Sequence, residues 1–96
     1  MAEYRLTTAA VRDLENIWRY TCSEWSADQA DRYTDVLTDI FELLADAPDQ
    51  SHACDDIRAG YRRRKVERHV IYFRKTSYGI AVVRILHGRM DAARHL

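Results

Sequence analysis

Four histidines, two cysteines and a run of basic residues are the side chains of this sequence with chemistry to offer. A metal centre or an acid–base pair would need His52, His69, His87 and His95 to act together. Their spacings match no ligand motif, and none forms an i, i+4 pair enclosing a carboxylate, so neither a metal nor another cofactor is expected. His69 opens one strand-like stretch and His87 closes another, positions that suit structural hydrogen bonding. Cys22 and Cys54 stand apart, which fits two ordinary thiols better than a disulfide framework or a zinc site. Ser23 and Ser26 lack the glycine pattern of a nucleophile elbow. The residues therefore predict no catalytic constellation: a binding protein, not an enzyme.

The arginines carry more information. In Arg62-Arg63-Arg64-Lys65 a strand would turn alternate side chains to opposite faces. Arg62 and Arg64 then share one face, and Arg63 and Lys65 the other. Such a run also blunts an exposed edge strand against aggregation. No helix with the character of a groove reader is visible, so direct specific nucleic-acid binding is not expected. The formal net charge of zero hides a division. Residues 1–56 hold four arginines against thirteen acids, a balance of −9, and residues 57–96 hold eleven Lys/Arg against two acids, a balance of +9. The acids are spaced as helix surface and the bases as sheet surface, so complete pairing inside one fold is not expected, and the basic half implies an acidic partner.

The elements that must carry these residues can be read in order. A chain of 96 residues suits a single domain, 1–96. Its start has no basic segment followed by an apolar run, and no stretch approaches a membrane span, which together predict a cytoplasmic protein without membrane contact. Glu3 to Thr7 alternates as a short strand does. Thr7 can cap a helix whose apolar face is Ala10, Leu14, Ile17, Trp18 and Thr21. Trp25-Ser26 breaks the pattern, and Ser26 with Gln29 forms a capping box. A second helix follows, with Ala30, Tyr33, Leu37, Ile40 and Leu44 on one face, until Pro48 stops it. Trp18 and Tyr33 are expected in the core. Trp25, in the hairpin loop, is left open between core and contact surface. Residues 49–57 read as loop.

The period then changes. Tyr61 to Lys65, His69 to Lys75 and Ile80 to His87 read as strands, joined by short turns as antiparallel neighbours. Residues 90–96 read as a last helical turn or a tail. The fold class is α+β: an N-terminal strand and an antiparallel helical hairpin packed on a small antiparallel sheet with a C-terminal three-strand meander. Ile71 and Phe73 should face the hairpin with Val83 and Ile85 as mates. Tyr72, Arg74, Arg84 and Leu86 should share the opposite face, which has no helix left to cover it.

These residues, in this order, resemble the ParE branch of the RelE/ParE toxin superfamily. The likeness is carried by Tyr4-Arg5-Leu6-Thr7 with Asp13-Leu14 and Ile17-Trp18, and by Trp25, Ala30 and Tyr33. It continues in Arg58-Ala59-Gly60-Tyr61-Arg62 and His69-Val70-Ile71-Tyr72-Phe73-Arg74. Val83-Arg84-Ile85-Leu86-His87-Gly88-Arg89-Met90-Asp91 and His95-Leu96 close it, so the match spans nearly the whole chain. The resemblance implies a RelE/ParE-like fold and the toxin component of a type II toxin–antitoxin system. It implies DNA gyrase as target and a ParD-like antitoxin as neutralising partner. Within the superfamily the alternative is a RelE-like ribosome-dependent mRNA endoribonuclease, which often uses a tyrosine or histidine near the C-terminus. This chain has no tyrosine after Tyr78. A further alternative is a non-toxic, antitoxin-binding co-regulator. The basic sheet face and the tail are the expected partner contacts, through Arg62, Arg64, Tyr72, Arg74, Arg84, Leu86, Arg89 and Arg94.

Overall fold

Thr7 decides where the chain leaves the sheet. Its backbone N–H donates to Val82 O at 3.0 Å and its hydroxyl donates to Val83 O at 2.7 Å. The same hydroxyl accepts from Ala10 N at 3.1 Å, which caps the first helix. In the computed structural model, which describes residues 2–96, strand β1 (Glu3–Leu6) thus hands over directly to helix α1 (Thr8–Glu24). Ala10 and Ile17 of α1 are buried, and Leu14 packs beside them.

Ser26 caps helix α2 (Ala27–Asp46) by accepting from Gln29 N at 3.0 Å. Ala30, Leu37, Phe41, Leu44 and Ala45 of α2 are buried. The indole N–H of Trp18 donates to Asp31 at 2.9 Å and so ties the two helices together across the hairpin. Pro48 opens a short 3-10 turn, Pro48–Gln50. The stretch expected as loop then contains β2 (His52–Ala53), a two-residue strand paired antiparallel to β3 (Tyr61–Val66). Two residues are too few to leave an alternation in the sequence. Strands β4 (His69–Lys75) and β5 (Gly79–His87) complete the meander, and a single helical turn, α3 (Ala92–His95), ends the chain.

The sheet order is β1-β5-β4-β3-β2. The meander is antiparallel as expected, whereas β1 joins β5 in parallel, with Tyr4 opposite Ile80 and Leu6 opposite Val82. Gly79 makes that pairing possible. Its φ is +145°, and a Cβ there would run into the carbonyl oxygen of Glu3. The α hairpin covers one face of the sheet. Between them lie Ile71, Phe73, Ile80, Val82, Ile85, Leu37 and Phe41, with Tyr4 ring-to-ring against Phe41 at 5.3 Å.

Two expectations about the sheet need correction. Ile71 does pair with Ile85, but Phe73 pairs with Val82 and not with Val83. A bulge leaves Val83 as an extra residue on β5 between the partners of Tyr72 and Phe73. The second face is also not bare. Cys54, Tyr72, Leu86 and Ala92 form a smaller buried cluster there, with Ile57, Tyr61, Val70 and Leu96 against it. The loop after β2 and the last turn of the chain do what no helix was left to do. Arg58 holds that turn by donating to Leu96 O at 2.8 Å. Among the described residues, no helix is long and apolar enough to cross a membrane.

Candidate partner-binding surface

Val66 sets the faces of β3, because it is the strand residue that reaches the main core. Counting back by two puts Arg64 and Arg62 on the same side, opposite Ile71 and Phe73, and puts Tyr61, Arg63 and Lys65 on the side of Tyr72 and Arg74. Arg62 and Arg64 therefore do not share a face with Arg74, as the expected contact surface required. The residues that do are Arg63 and Lys65, and the inward requirement of Val66 was the signal for it.

The expected contact residues fall into two groups. Four of them are engaged within the fold. Arg62 donates to Ser51 Oγ at 3.0 Å, to Asp49 O at 3.2 Å and to Ser51 O, so it pins the 3-10 turn and β2 to the sheet. Arg84 grips Asp13 of α1 with Nε at 2.7 Å and a terminal nitrogen at 2.8 Å, and its other terminal nitrogen donates to His95 O at 3.2 Å. The Asp13 carboxylate holds the Arg84 pKa above its ordinary value. Tyr72 and Leu86 are buried in the second cluster. Burial pushes the Tyr72 phenol up, against the pull of the nearby Arg63 guanidinium. Tyr72 and Leu86 were expected on an uncovered face, and the turn Ala92–His95 with Leu96 covers it.

The other four are exposed: Arg64, Arg74, Arg89 and Arg94. Arg94 sits 3.7 Å from Asp91, with both side chains mostly in water. Such a pair contributes at most about 1 kcal/mol. Exposed Arg63, Lys65 and Arg68 join this set, and sequence reasoning did not name them as contacts. Among the described residues, ion pairs form at Arg5–Glu3, Lys75–Asp49, Arg84–Asp13 and Arg94–Asp91. Arg63, Arg64, Lys65, Arg68, Arg74 and Arg89 are in none of them. The outer side of α2 meanwhile exposes Asp28, Asp35, Asp39, Glu42 and Asp46. The acids of α2 and the free cations of the sheet and its turns thus lie on different surfaces, while the exposed Arg12, Arg19 and Arg32 add positive charge to the helices.

A second feature lies where the α1–α2 turn meets the β3–β4 turn. A cleft of about 360 Å³ is lined there by Tyr20, Thr21, Trp25, Gln29, Tyr33, Glu67, Arg68, His69 and His87. Tyr33 is partly buried, as its core assignment requires, but its hydroxyl reaches His69 Nδ1 at 2.7 Å and Val66 O at 3.2 Å. Burial raises its pKa to about 12. Burial, with His87 adding to it, lowers the His69 pKa to about 4. The His69 and His87 rings meet edge to face, 5.5 Å between centroids. His87 Nδ1 accepts the backbone N–H of Arg89 at 3.1 Å. Both histidines thus make the structural bonds expected of them. Trp25, left open by the sequence, is exposed at the rim. Among the described residues, no three His, Cys, Asp or Glu side chains converge as metal ligands would.

Residues 4–92 match the family described as ParE toxin of type II toxin-antitoxin system, parDE. The chain is 42% identical over 96 residues to Toxin ParE1 of Mycobacterium tuberculosis, covering 99% of this chain and 98% of that one. It is 35% identical over 96 residues to Toxin ParE1 of Caulobacter vibrioides, covering 100% and 99% of the two chains. Among solved structures, a chain of the chromosomal ParDE TA system from P. aeruginosa superposes with a TM-score of 0.78 at 19% identity, over 91% of this chain and 96% of that one. At that identity the superposition speaks for the fold.

Proposed function

The chain belongs to the ParE toxin family of type II toxin–antitoxin systems, and from that membership we propose that it poisons DNA gyrase and is neutralised by a ParD-like antitoxin. One observation carries the antitoxin side of this reading. Arg63, Lys65 and Arg74 share one face of the sheet, are exposed and form no ion pair among the described residues. A surface of that kind suits an acidic segment that orders on binding, because each guanidinium can take a carboxylate through two parallel hydrogen bonds. The charge also speeds encounter with an acidic partner. Antitoxin binding would then stabilise the folded toxin by mass action, in proportion to antitoxin concentration.

On the target side the protein acts by binding and trapping, in the bacterial cytoplasm where gyrase works, and contributes no catalytic residue of its own. Two groups suited to acid–base work are tied up: His69 is held neutral between Tyr33 and His87, and His87 accepts a backbone hydrogen bond. The test is to add purified, antitoxin-free protein to gyrase, ATP and relaxed plasmid, following supercoiling and cleaved DNA together. Inhibition with accumulated cleavage, reversed by the antitoxin, is the expected result. A folded sample without effect on gyrase that cuts mRNA on translating ribosomes would replace this reading with the endoribonuclease one.

A further inference from the structure

The cleft at the hairpin turn adjoins the basic surface at Arg68 and is otherwise lined by different residues. Tyr20 and Trp25 leave 61% and 67% of their surfaces in water at its rim. Two large aromatic side chains exposed beside one concavity mark a place where something packs. The floor is polar. The Tyr33 hydroxyl lies between Val66 O, at 3.2 Å, and His69 Nδ1, at 2.7 Å, and its one proton serves one of the two. His87 Nδ1 accepts from Arg89 N, so its proton sits on Nε2 as a donor. The His87 tautomer is assigned from that hydrogen bond. The two touching rings present ring nitrogens able to donate or accept, and Gln29 adds an amide that does both.

Arg68 is the one lysine or arginine among the lining residues. Its backbone is fixed, since its carbonyl accepts from Gly88 N at 2.8 Å. Glu67 beside it takes φ 53°, a left-handed conformation that costs a glutamate roughly 1 kcal/mol. Such a φ is what the first residue of this two-residue hairpin turn, between the paired Val66 and His69, requires. Ring walls, a donor–acceptor floor and one cation at the edge are the parts that recognise a planar heterocycle bearing a single anionic group. A volume of about 360 Å³ is within the small-molecule range.

We propose that this cleft binds a nucleotide, with the base stacked on Trp25 and Tyr20, its hydrogen-bonding edge on His69, His87 and Gln29, and one phosphate on Arg68. The carboxylate of Glu67 on the same turn disfavours a triphosphate, so a monophosphate or one phosphate of a single strand is the match. Calorimetric titration of the whole protein with AMP and UMP tests it, with inorganic phosphate and N-acetyltryptophanamide as controls. Mononucleotide binding is expected, with neither control competing. Trp25→Ala and Arg68→Gln should each weaken it about tenfold, the size of one lost stacking or phosphate contact. Both side chains are exposed, and unchanged thermal unfolding midpoints certify the variants; Tyr20→Ser serves as a second probe of the rim. A short single-stranded oligonucleotide that binds more tightly than AMP, with steeper salt dependence, identifies a strand as the source, and equal affinity identifies the free nucleotide. Absence of nucleotide binding overturns the proposal. So does binding unchanged in the variants, which would place the nucleotide on the basic sheet. Equal binding of N-acetyltryptophanamide would also overturn it, making the cleft a socket for a partner's aromatic side chain.

Discussion

Arg84 and Asp13 lie 71 residues apart in sequence and form a two-point ion pair, with nitrogen–oxygen distances of 2.7 and 2.8 Å. The Asp13 carboxylate also accepts the backbone N–H of Ile85 at 2.9 Å. Beyond Leu6, β5 has no strand beside it on that edge. Asp13 therefore does for Ile85 what a neighbouring strand would do, and Arg84 balances its charge. The side chains are 22% and 13% exposed, so the pair is only weakly screened by water.

Removing Asp13 should thus cost more than removing a surface acid. Asp13→Ala leaves a guanidinium and a backbone N–H without their partner, a loss of about 2–4 kcal/mol by analogy with broken part-buried pairs. Arg84→Met should cost less, because the Ile85 N–H keeps its acceptor. Urea unfolding of both singles and the double should give a coupling of about 1–3 kcal/mol. A coupling near zero would mean that the pair is incidental to the α1–β5 contact.

The exposed arginines should behave in the opposite way. Arg63→Glu with Arg74→Glu ought to leave the unfolding midpoint within about 0.5 kcal/mol of the parent, since neither side chain is in an ion pair. The same change should weaken antitoxin binding, and the deficit should shrink as salt is raised. Reversing Arg84 is a poor version of this test, because it breaks the Asp13 pair and destabilises the fold first. Full antitoxin affinity in the double reversal at low salt would remove this face from the interface.

Gly79 is the position where a methyl group does the most damage. Its φ of +145° excludes other residues, and the added Cβ would meet Glu3 N at 2.8 Å as well as the Glu3 carbonyl. Gly79→Ala should displace β1 from β5 and cost upwards of about 3 kcal/mol, combining backbone strain with a broken parallel ladder. Hydrogen exchange should then quicken at Thr7 N, which donates to Val82 O at the end of that ladder.

His69 should make the protein acid-sensitive. Its folded pKa of about 4 lies below the ordinary 6.5, because burial beside His87 disfavours the imidazolium. The unfolded chain then binds the proton more readily. The stability contributed by the neutral ring is complete above pH 6.5 and drains away as pH falls toward 4. The ring is only half-buried, so the loss is on the order of 1 kcal/mol after allowance for solvent screening. Denaturant midpoints between pH 7 and 4.5 should fall in the parent and fall less in His69→Gln. Identical pH slopes would show that His69 is not the group responsible.

Much of the architecture was legible because it rests on local rules. The α1 face of Ala10, Leu14 and Ile17, the Ser26 cap and the stop at Pro48 each depend on residues within a few positions of one another. The strands of the meander announced themselves through β-branched and aromatic runs separated by short turns. The two-residue β2 carried no such run; it pairs with Arg62 and Arg63 of β3, and the Arg62 side chain reaches back to Asp49 and Ser51 just before it. The bulge at Val83 was hidden too, because alternation along β5 looks regular until Phe73 has to choose a partner.

The contact surface was legible only as a charge total. From the sequence alone come the surplus of positive charge after residue 57 and the strand that exposes part of it. The sequence also determined the helical hairpin, the meander and the family likeness, since all of these are written in residue type and spacing. Tertiary structure alone decided which arginines remain free. Arg84 is spent on Asp13 and Arg62 on the turn before β2, while Arg63, Arg64 and Arg74 are not. It also decided that Tyr72 and Leu86 lie under the chain's last turn and that Tyr33, His69 and His87 meet at the base of one cleft. A cation's availability depends on which carboxylate or carbonyl the fold carries to it, and those partners come from elements far away in sequence.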